Sequence, residues 1–281
     1  MRQFRLVLIV LVLAAASAAC GGGGSSDDSD AAAPAPTTTA PAGATTVPVA
    51  TSGGGTTVAA TNLSLRITDL HLANSEESDN GVRILLPAGV TTASVSITGL
   101  PSPNRVISVC QTNDLDKRLP TAVCRMPAPG ETSTVALGSG ASGVEIMQVG
   151  VSGTGPAANT TTLSDVTIRY AASSREFSVR LPQIEAGESG GRPTFALTPP
   201  GPGGSYRATL NWTVIQVFGG TPSTAQVELV QGGNTLNKAA GSGLEVRLTG
   251  DVPAPVGDVA FRVQNLGSSA LVNLKLAALL P

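Results

Sequence analysis

The chain has few of the residues from which catalytic centres and stacking platforms are built. Its 281 residues include one histidine and three cysteines, with 3% aromatic and 13% charged residues. A lone histidine cannot form a multi-histidine metal centre, and no CxxC spacing of the kind used by zinc sites occurs. Phosphate-binding loops and basic clusters are also absent, so the sequence gives no indication of nucleotide or nucleic-acid binding.

The first twenty residues have the organisation of an export signal. Arg2 and Arg5 give a positive start, the run Leu6–Leu13 is continuously apolar, and small residues lead from there to Cys20. The apolar run is too short for a membrane-spanning helix, which needs about 20 residues. The glycine run that follows cannot extend a helix. This pattern predicts a cleaved signal peptide over residues 1–19.

The residues before Cys20 are Ser17, Ala18 and Ala19, and a glycine follows it. This segment resembles a bacterial lipoprotein signal peptide with its lipobox, although the family usually has an aliphatic residue where Ser17 stands. The resemblance implies that Cys20 becomes the lipidated first residue of the mature chain. It further implies a protein of the cell envelope, exported and held at the outer face of the membrane by lipid. Two acyl chains suffice for stable attachment.

Residues 20–57 are rich in Gly, Ser, Ala, Pro and Thr and have almost no large apolar side chain. Such a segment cannot bury enough apolar surface to offset its ordering entropy, so we expect a flexible tether. As a coil it would span roughly 30–35 Å on average. Removing residues 1–19 takes away two of the 17 lysines and arginines, which leaves 15 against 19 acids. The mature net charge of about −4 gives no reason to expect a nucleic-acid partner.

The odd number of cysteines is explained if Cys20 carries lipid, because Cys110 and Cys124 then form one pair. An exported chain meets an oxidising compartment, so a disulfide is expected. It would close a loop of about 15 residues and stabilise the fold by roughly 3 kcal/mol in the chain-entropy model. The enclosed sequence N-D-L-D-K-R is polar, which indicates an exposed excursion suited to contact with a partner or, alternatively, a merely restrained connection.

From Val58 to the end, short stretches alternate apolar and polar residues between Gly, Pro, Asn and Asp turns, and this period of two predicts strands with one buried face. The number of strands is too large for one small sandwich. We therefore predict an all-β protein with two tandem β-sandwich domains, residues 58–171 and 172–281, of jelly-roll or immunoglobulin-like topology. A strand pair closing each half echoes the other, which fits either duplication or shared patterning.

Two segments and two aromatic residues are candidates for a functional site. G-E-S-G-G, Gly187–Gly191, has the form of a serine-hydrolase loop, but a triad needs a histidine and the chain offers only His71 in an unrelated context. The acidic loop with Glu76, Glu77, Asp79 and Asn80 could offer oxygen ligands to calcium, although a solvated hairpin turn explains it better. For sugar stacking, parity places most aromatics inside and leaves Phe195 and Phe218 as the exposed candidates.

These observations favour a non-enzymatic, lipid-anchored envelope protein without a cofactor, whose sandwiches bind a polysaccharide or a protein ligand. The alternatives are a purely structural surface spacer and, third, a hydrolase that uses the Gly187–Gly191 serine loop.

Attachment can be tested directly. We expect Cys20→Ala to move the protein from the membrane fraction to the soluble or secreted fraction, because the only predicted anchor is lost. Metabolic labelling with a palmitate analogue should be lost as well. A mutant that stays membrane-bound, together with a wild type that takes no label, contradicts the lipobox interpretation.

Overall fold

The computed structural model describes residues 59–73, 81–98, 105–128, 130–138, 142–151, 160–184, 191–201, 203–214, 224–253 and 258–281. Over these residues the chain is entirely β, and no helix long and apolar enough to cross a membrane occurs in them. The strands are β1 Thr61–Ala73, β2 Val82–Leu85, β3 Thr92–Thr98, β4 Arg105–Thr112, β5 Cys124–Arg125, β6 Thr132–Ala136, β7 Gly143–Val151, β8 Thr160–Ala172, β9 Glu176–Ile184, β10 Thr194–Thr198, β11 Gly204–Val214, β12 Ala225–Gln231, β13 Asn234–Gly241, β14 Glu245–Val252, β15 Val259–Asn265 and β16 Leu271–Leu279.

The strands form two eight-stranded antiparallel sheets. Sheet A has the order β13-β12-β15-β10-β1-β8-β3-β6, and sheet B has the order β14-β11-β16-β9-β2-β7-β4-β5. Each sheet therefore takes four strands from β1–β8 and four from β9–β16. Within each half the first strand pairs with the eighth, the second with the seventh, and the third with both the sixth and the eighth. This order, with two Greek keys over two four-stranded sheets, is that of a jelly roll.

The two jelly rolls join edge to edge in both sheets. In sheet A, β1 pairs with β10 from Ser64↔Thr198 to Thr68↔Thr194. In sheet B, β2 pairs with β9 at Arg83↔Arg180, Ile84↔Val179 and Leu85↔Ser178. We call these two strand pairs the seam. Because the seam continues each sheet, the described residues belong to one compact unit rather than to two bodies on a linker.

The core lies between the sheets and is continuous across the seam. Buried apolar side chains of both halves form a single cluster. At the seam, Phe177 of sheet B and Phe195 of sheet A have ring centroids 6.2 Å apart. The side chains that alternate with the core residues point outward from each sheet. The alternation read from the sequence thus marks the inner faces of both sandwiches.

The prediction of an all-β fold with tandem sandwiches is confirmed, and the topology left open is now a jelly roll in each half. The two strand pairs that echo one another, β7–β8 and β15–β16, hold equivalent seventh and eighth places in the two halves. The change from one half to the next falls between Ala172 and Glu176. The division into domains at residues 58–171 and 172–281 stays a prediction.

Several predicted features lie outside the described residues. These are the signal peptide, Cys20 and the tether up to residue 57, the calcium candidates Glu76, Glu77, Asp79 and Asn80, Phe218, and the serine loop except for Gly191.

The continuous sheets and core lead to a prediction about unfolding. We expect the mature chain to unfold in one calorimetric transition, because disrupting either half exposes core and strand edges of the other. The measurement is differential scanning calorimetry, comparing the calorimetric with the van't Hoff enthalpy. Two resolved transitions would instead support independently folding domains.

Candidate functional site

An open groove crosses the seam on the outer face of sheet A. Its volume is about 540 Å³, within the range of ligand sites in proteins. Both halves contribute to it, since β1, β3 and β8 supply most of the lining and the end of β10 supplies the rest. The lining residues are Asn62, Leu63, Ser64, Thr92, Ser94, Arg169, Tyr170, Ala171, Thr198 and Pro199.

The registers of the strands put the polar lining residues into ordered rows. Ser94 lies opposite Arg169, Arg169 lies opposite Ser64, and Ser64 lies opposite Thr198. At about 4.8 Å between neighbouring strands, this row of four covers roughly 14 Å. Asn62 lies opposite Ala171 in the next row. The row therefore runs across the strands and over the seam, from the first half to the second.

The groove side chains are mostly small, polar and uncharged, with Arg169 as the exception. The Thr198 hydroxyl donates to the carbonyl of Ser64 at 3.4 Å, and the hydroxyls of Ser94 and Thr134 are 3.4 Å apart. No carboxylate lines the groove, and Arg169 is ion-paired to no acid in the described ranges.

Tyr170 is buried beside the groove, and burial raises the pKa of its phenol well above the ordinary value. It is therefore uncharged at neutral pH.

The opposite side of the seam, the outer face of sheet B, has a different chemistry. Arg83 and Glu145 lie opposite each other on β2 and β7, and both side chains are fully buried. Arg83 Nε donates to Glu145 Oε1 at 2.7 Å. Arg180, the cross-strand neighbour of Arg83 over the seam, donates to Asn273 Oδ1 at 2.6 Å. An outward-facing ion pair on a sheet is buried only if something covers it.

The cover is the excursion, residues 113–123 between β4 and β5. Arg83 Nη1 donates to the carbonyl of Leu115 at 3.1 Å, and Arg118 Nε lies 3.6 Å from the second oxygen of Glu145. The excursion also reaches the second half, where Asp116 forms an ion pair with Lys275 of β16 at 2.6 Å. The backbone N–H of Asp116 donates to Asp114 and lowers the pKa of that carboxyl below its ordinary value. The excursion thus spans the seam on sheet B.

The predicted disulfide between Cys110 and Cys124 is confirmed, and the two residues are cross-strand partners in β4 and β5. The predicted polar excursion is exposed on its outer side, yet its inner side covers the Arg83–Glu145 pair.

The sequence did not indicate that Arg83, Glu145 and Arg180 form a buried cluster, because charged residues at outward strand positions are usually exposed to solvent. At Gly81, beside the pair, a Cβ atom would lie 2.6 Å from Glu145 Oε1, so a larger residue there would have to displace Glu145.

The single histidine lies beside the end of the serine loop, which the sequence did not indicate. His71 Nε2 is 3.3 Å from Asp69 Oδ1, and the other oxygen of Asp69 accepts from the backbone N–H of Arg192. A Cβ atom on Gly191 would lie 2.5 Å from His71 Nε2. Asp69 therefore ties β1 to the residue after the Gly187–Gly191 motif. Since Ser189 lies outside the described ranges, the hydrolase alternative stays a hypothesis.

The prediction for the aromatic residues is right for most of them and wrong for Phe195. That side chain is fully buried, faces Phe261 across β10–β15, and packs at the seam. The flanking Gly- and Pro-rich segments suggested exposure, whereas β10 is a core strand in which Phe195 and Leu197 share the inward face. The predicted core aromatics are buried: Tyr170, Phe177, Tyr206, Trp212 and Phe261.

In the described part of the chain, no three His, Cys, Asp or Glu side chains are grouped so that they could hold a metal ion.

Comparison with known proteins gives no family. No protein-family model and no curated protein matches the chain. One similar solved structure is the N-terminal CBM22-1-CBM22-2 tandem domain of Xyn10C from Paenibacillus barcinonensis, with 9% identity, 77% of this chain and 78% of that chain covered, and a TM-score of 0.24. Another is the M60 catalytic domain with the CBM51-1 and CBM51-2 domains of ZmpB from Clostridium perfringens, with 8% identity, 76% and 36% covered, and a TM-score of 0.20. The chain spans about a third of that second structure, and neither TM-score is high enough to support an argument.

The buried pair leads to a stability prediction. We expect Glu145→Gln to lower the free energy of unfolding by about 3 kcal/mol, because the fully buried Arg83 loses its ion pair with Glu145. Replacing both partners, as Arg83→Met with Glu145→Leu, should recover most of that loss. The measurement is urea unfolding at neutral pH.

The exposed Arg247 is a matched control, because its ion pair with Glu245 lies at the surface. Arg247→Gln should change the free energy of unfolding by no more than about 0.5 kcal/mol. An equally small effect of Glu145→Gln contradicts the assignment of a covered, energetically coupled pair beneath the excursion.

Proposed function

We propose that this protein is a lipid-anchored, non-enzymatic envelope protein that binds a polysaccharide chain in the groove across the seam. The observation that carries the proposal is that both jelly rolls line the groove, with Thr198 of β10 in register with Ser64 of β1. This groove needs both halves, because strands of each supply its lining. Binding would therefore give the edge-to-edge arrangement a function beyond stability.

The chemistry of the lining favours a hydroxyl-rich ligand. Serine, threonine and asparagine side chains supply both donors and acceptors, which complement sugar hydroxyls. Pockets for apolar small molecules are lined mainly by hydrophobic and aromatic side chains. Protein interfaces are anchored by aromatic and arginine side chains in desolvated pockets. All aromatics in the described ranges are buried, so recognition here would depend on hydrogen bonds rather than on ring stacking.

The predicted anchor complements this site. A lipid on Cys20 and a tether of 37 residues, extendable to about 120 Å, would allow the jelly rolls to reach a polymer layer beyond the membrane. Attachment at one end and polymer binding at the other would hold membrane and polymer together.

The spacer alternative predicts that the groove binds nothing. If the jelly rolls only set a distance from the membrane, substitutions of outward residues on sheet A and on sheet B have the same effect, and neither changes the affinity for a polysaccharide. The excursion over sheet B and the joined sheets give the rigidity that a spacer needs. A binding experiment therefore separates the two functions.

The binding test uses the mature protein released by Cys20→Ala. We expect it to be retarded in affinity gels containing one or more envelope polysaccharides, with titration calorimetry giving the dissociation constant. Asn62→Ala with Ser64→Ala should weaken binding about tenfold, since each lost hydrogen bond contributes roughly 0.5–1.5 kcal/mol.

The control is Asn211→Ala with Thr249→Ala, two polar residues on sheet B of the second half. This control should bind as the wild type does. If no polysaccharide binds, or if both double variants weaken binding equally, the groove is not the site.

A further inference from the structure

We propose that the groove selects an anionic polysaccharide, whose oxyanion group is held by Arg169; this inference rests on the proposed function. Arg169 stands in the middle of the groove row, in register with Ser94 on one side and Ser64 on the other. Its side chain is exposed. A ligand lying across the strands would therefore meet hydroxyls before and after the guanidinium.

The surroundings leave the positive charge of Arg169 available. The nearest outward-facing acid along β8 is Asp165, which lies four residues before Arg169 on the same face of the strand. Asp165 already forms an ion pair with Arg66 at 2.6 Å. The Asp165 carboxylate also accepts from Arg66 Nε at 2.7 Å. Ion pairs occupy many other arginines of the described chain, namely Arg66, Arg83, Arg118, Arg207, Arg247 and Arg262.

A guanidinium recognises oxyanions by a specific geometry. Its planar fork donates two parallel hydrogen bonds to a carboxylate or to a phosphate, and these bonds are stronger than neutral ones. The hydroxyl and amide groups on either side fit the uncharged part of a sugar chain. The chain as a whole is acidic, with a net charge of −2 before removal of the signal peptide. Non-specific attraction of a polyanion is therefore not expected, and selection depends on Arg169 itself.

The shared ligand chemistry is thus an oxyanion on a polyhydroxylated chain, and it has two sources. One is the carboxylate of a uronic acid, and the other is a phosphate group carried by the polymer. Neutral polymers would still make the hydrogen bonds of the groove, with lower affinity.

The experiment compares two pairs of polymers, each made of a charged polymer and its neutral counterpart with the same sugar backbone. The Cys20→Ala protein is titrated with polygalacturonic acid, with its fully methyl-esterified form, with phosphorylated dextran and with plain dextran. We expect an acid to be preferred about tenfold over its neutral counterpart in at least one of the two pairs, and the responding pair identifies carboxylate or phosphate. Raising the NaCl concentration should reduce the preference.

The variants locate the effect. Arg169→Gln should abolish the preference, so that the charged and the neutral polymer bind with the same dissociation constant. Arg169→Lys should leave a reduced preference, because the charge remains but the planar fork is lost. Arg247→Gln, a surface arginine on sheet B, should behave as the wild type. Melting temperatures confirm that each variant is folded.

The outcomes separate this inference from the proposed function. If the wild type binds neutral and acidic polymers equally, or if Arg169→Gln keeps the preference, selection by Arg169 is wrong although the groove still binds sugar. If the wild type binds none of these four polymers but is retarded by an envelope polysaccharide in the affinity gels, selection by Arg169 is wrong and the proposed function stands. If it binds neither the four polymers nor any envelope polysaccharide, both proposals are overturned.

Discussion

The pairing of β1 with β10 and of β2 with β9 is the constraint on which the rest of the structure depends. A four-stranded sheet has two edges, and each edge strand presents unpaired backbone groups that invite pairing with another chain. Here one edge of every four-stranded sheet is satisfied by the other half. The same two pairings merge two cores into one cluster, so hydrogen bonding and apolar burial act at the same place.

The seam also explains why its outer faces differ. On sheet B the cross-strand neighbours at the seam are Arg83 and Arg180, and two adjacent arginines repel each other unless counter-charge and hydrogen-bond acceptors are supplied. Glu145, Asn273 and the carbonyl of Leu115 supply them. The excursion that brings Leu115 is closed by the Cys110–Cys124 bond, so a disulfide of the first half supports a contact surface shared with the second.

The sequence was informative where local patterning determines structure. The alternating apolar residues Leu63, Leu65 and Ile67, and likewise Leu274 and Leu276, mark strand faces that are buried in the structure. The disulfide could be predicted because only Cys110 and Cys124 remain once Cys20 is assigned to lipid. The seam could not be found in this way, because pairing such as Ser64 with Thr198 joins residues far apart in the chain and has no local pattern. Phe195 was misplaced for a different reason, because the Gly- and Pro-rich segments beside β10 suggested exposure although Phe195 and Leu197 alternate as a core strand does.

The groove could not be predicted from the sequence. It forms because certain outward side chains are small, and the alternating pattern shows only that these positions face outward. Ser64, Ser94 and Thr198 are small, so the outer surface of sheet A dips along their row, while Arg169 stands within it. On sheet B the corresponding outward positions carry long charged side chains and a covering excursion. At the seam, two continuous sheets with the same topology thus present one covered face and one open face. An open, hydroxyl-lined face across the joint between the two halves is a feature of the described fold that stability alone does not require.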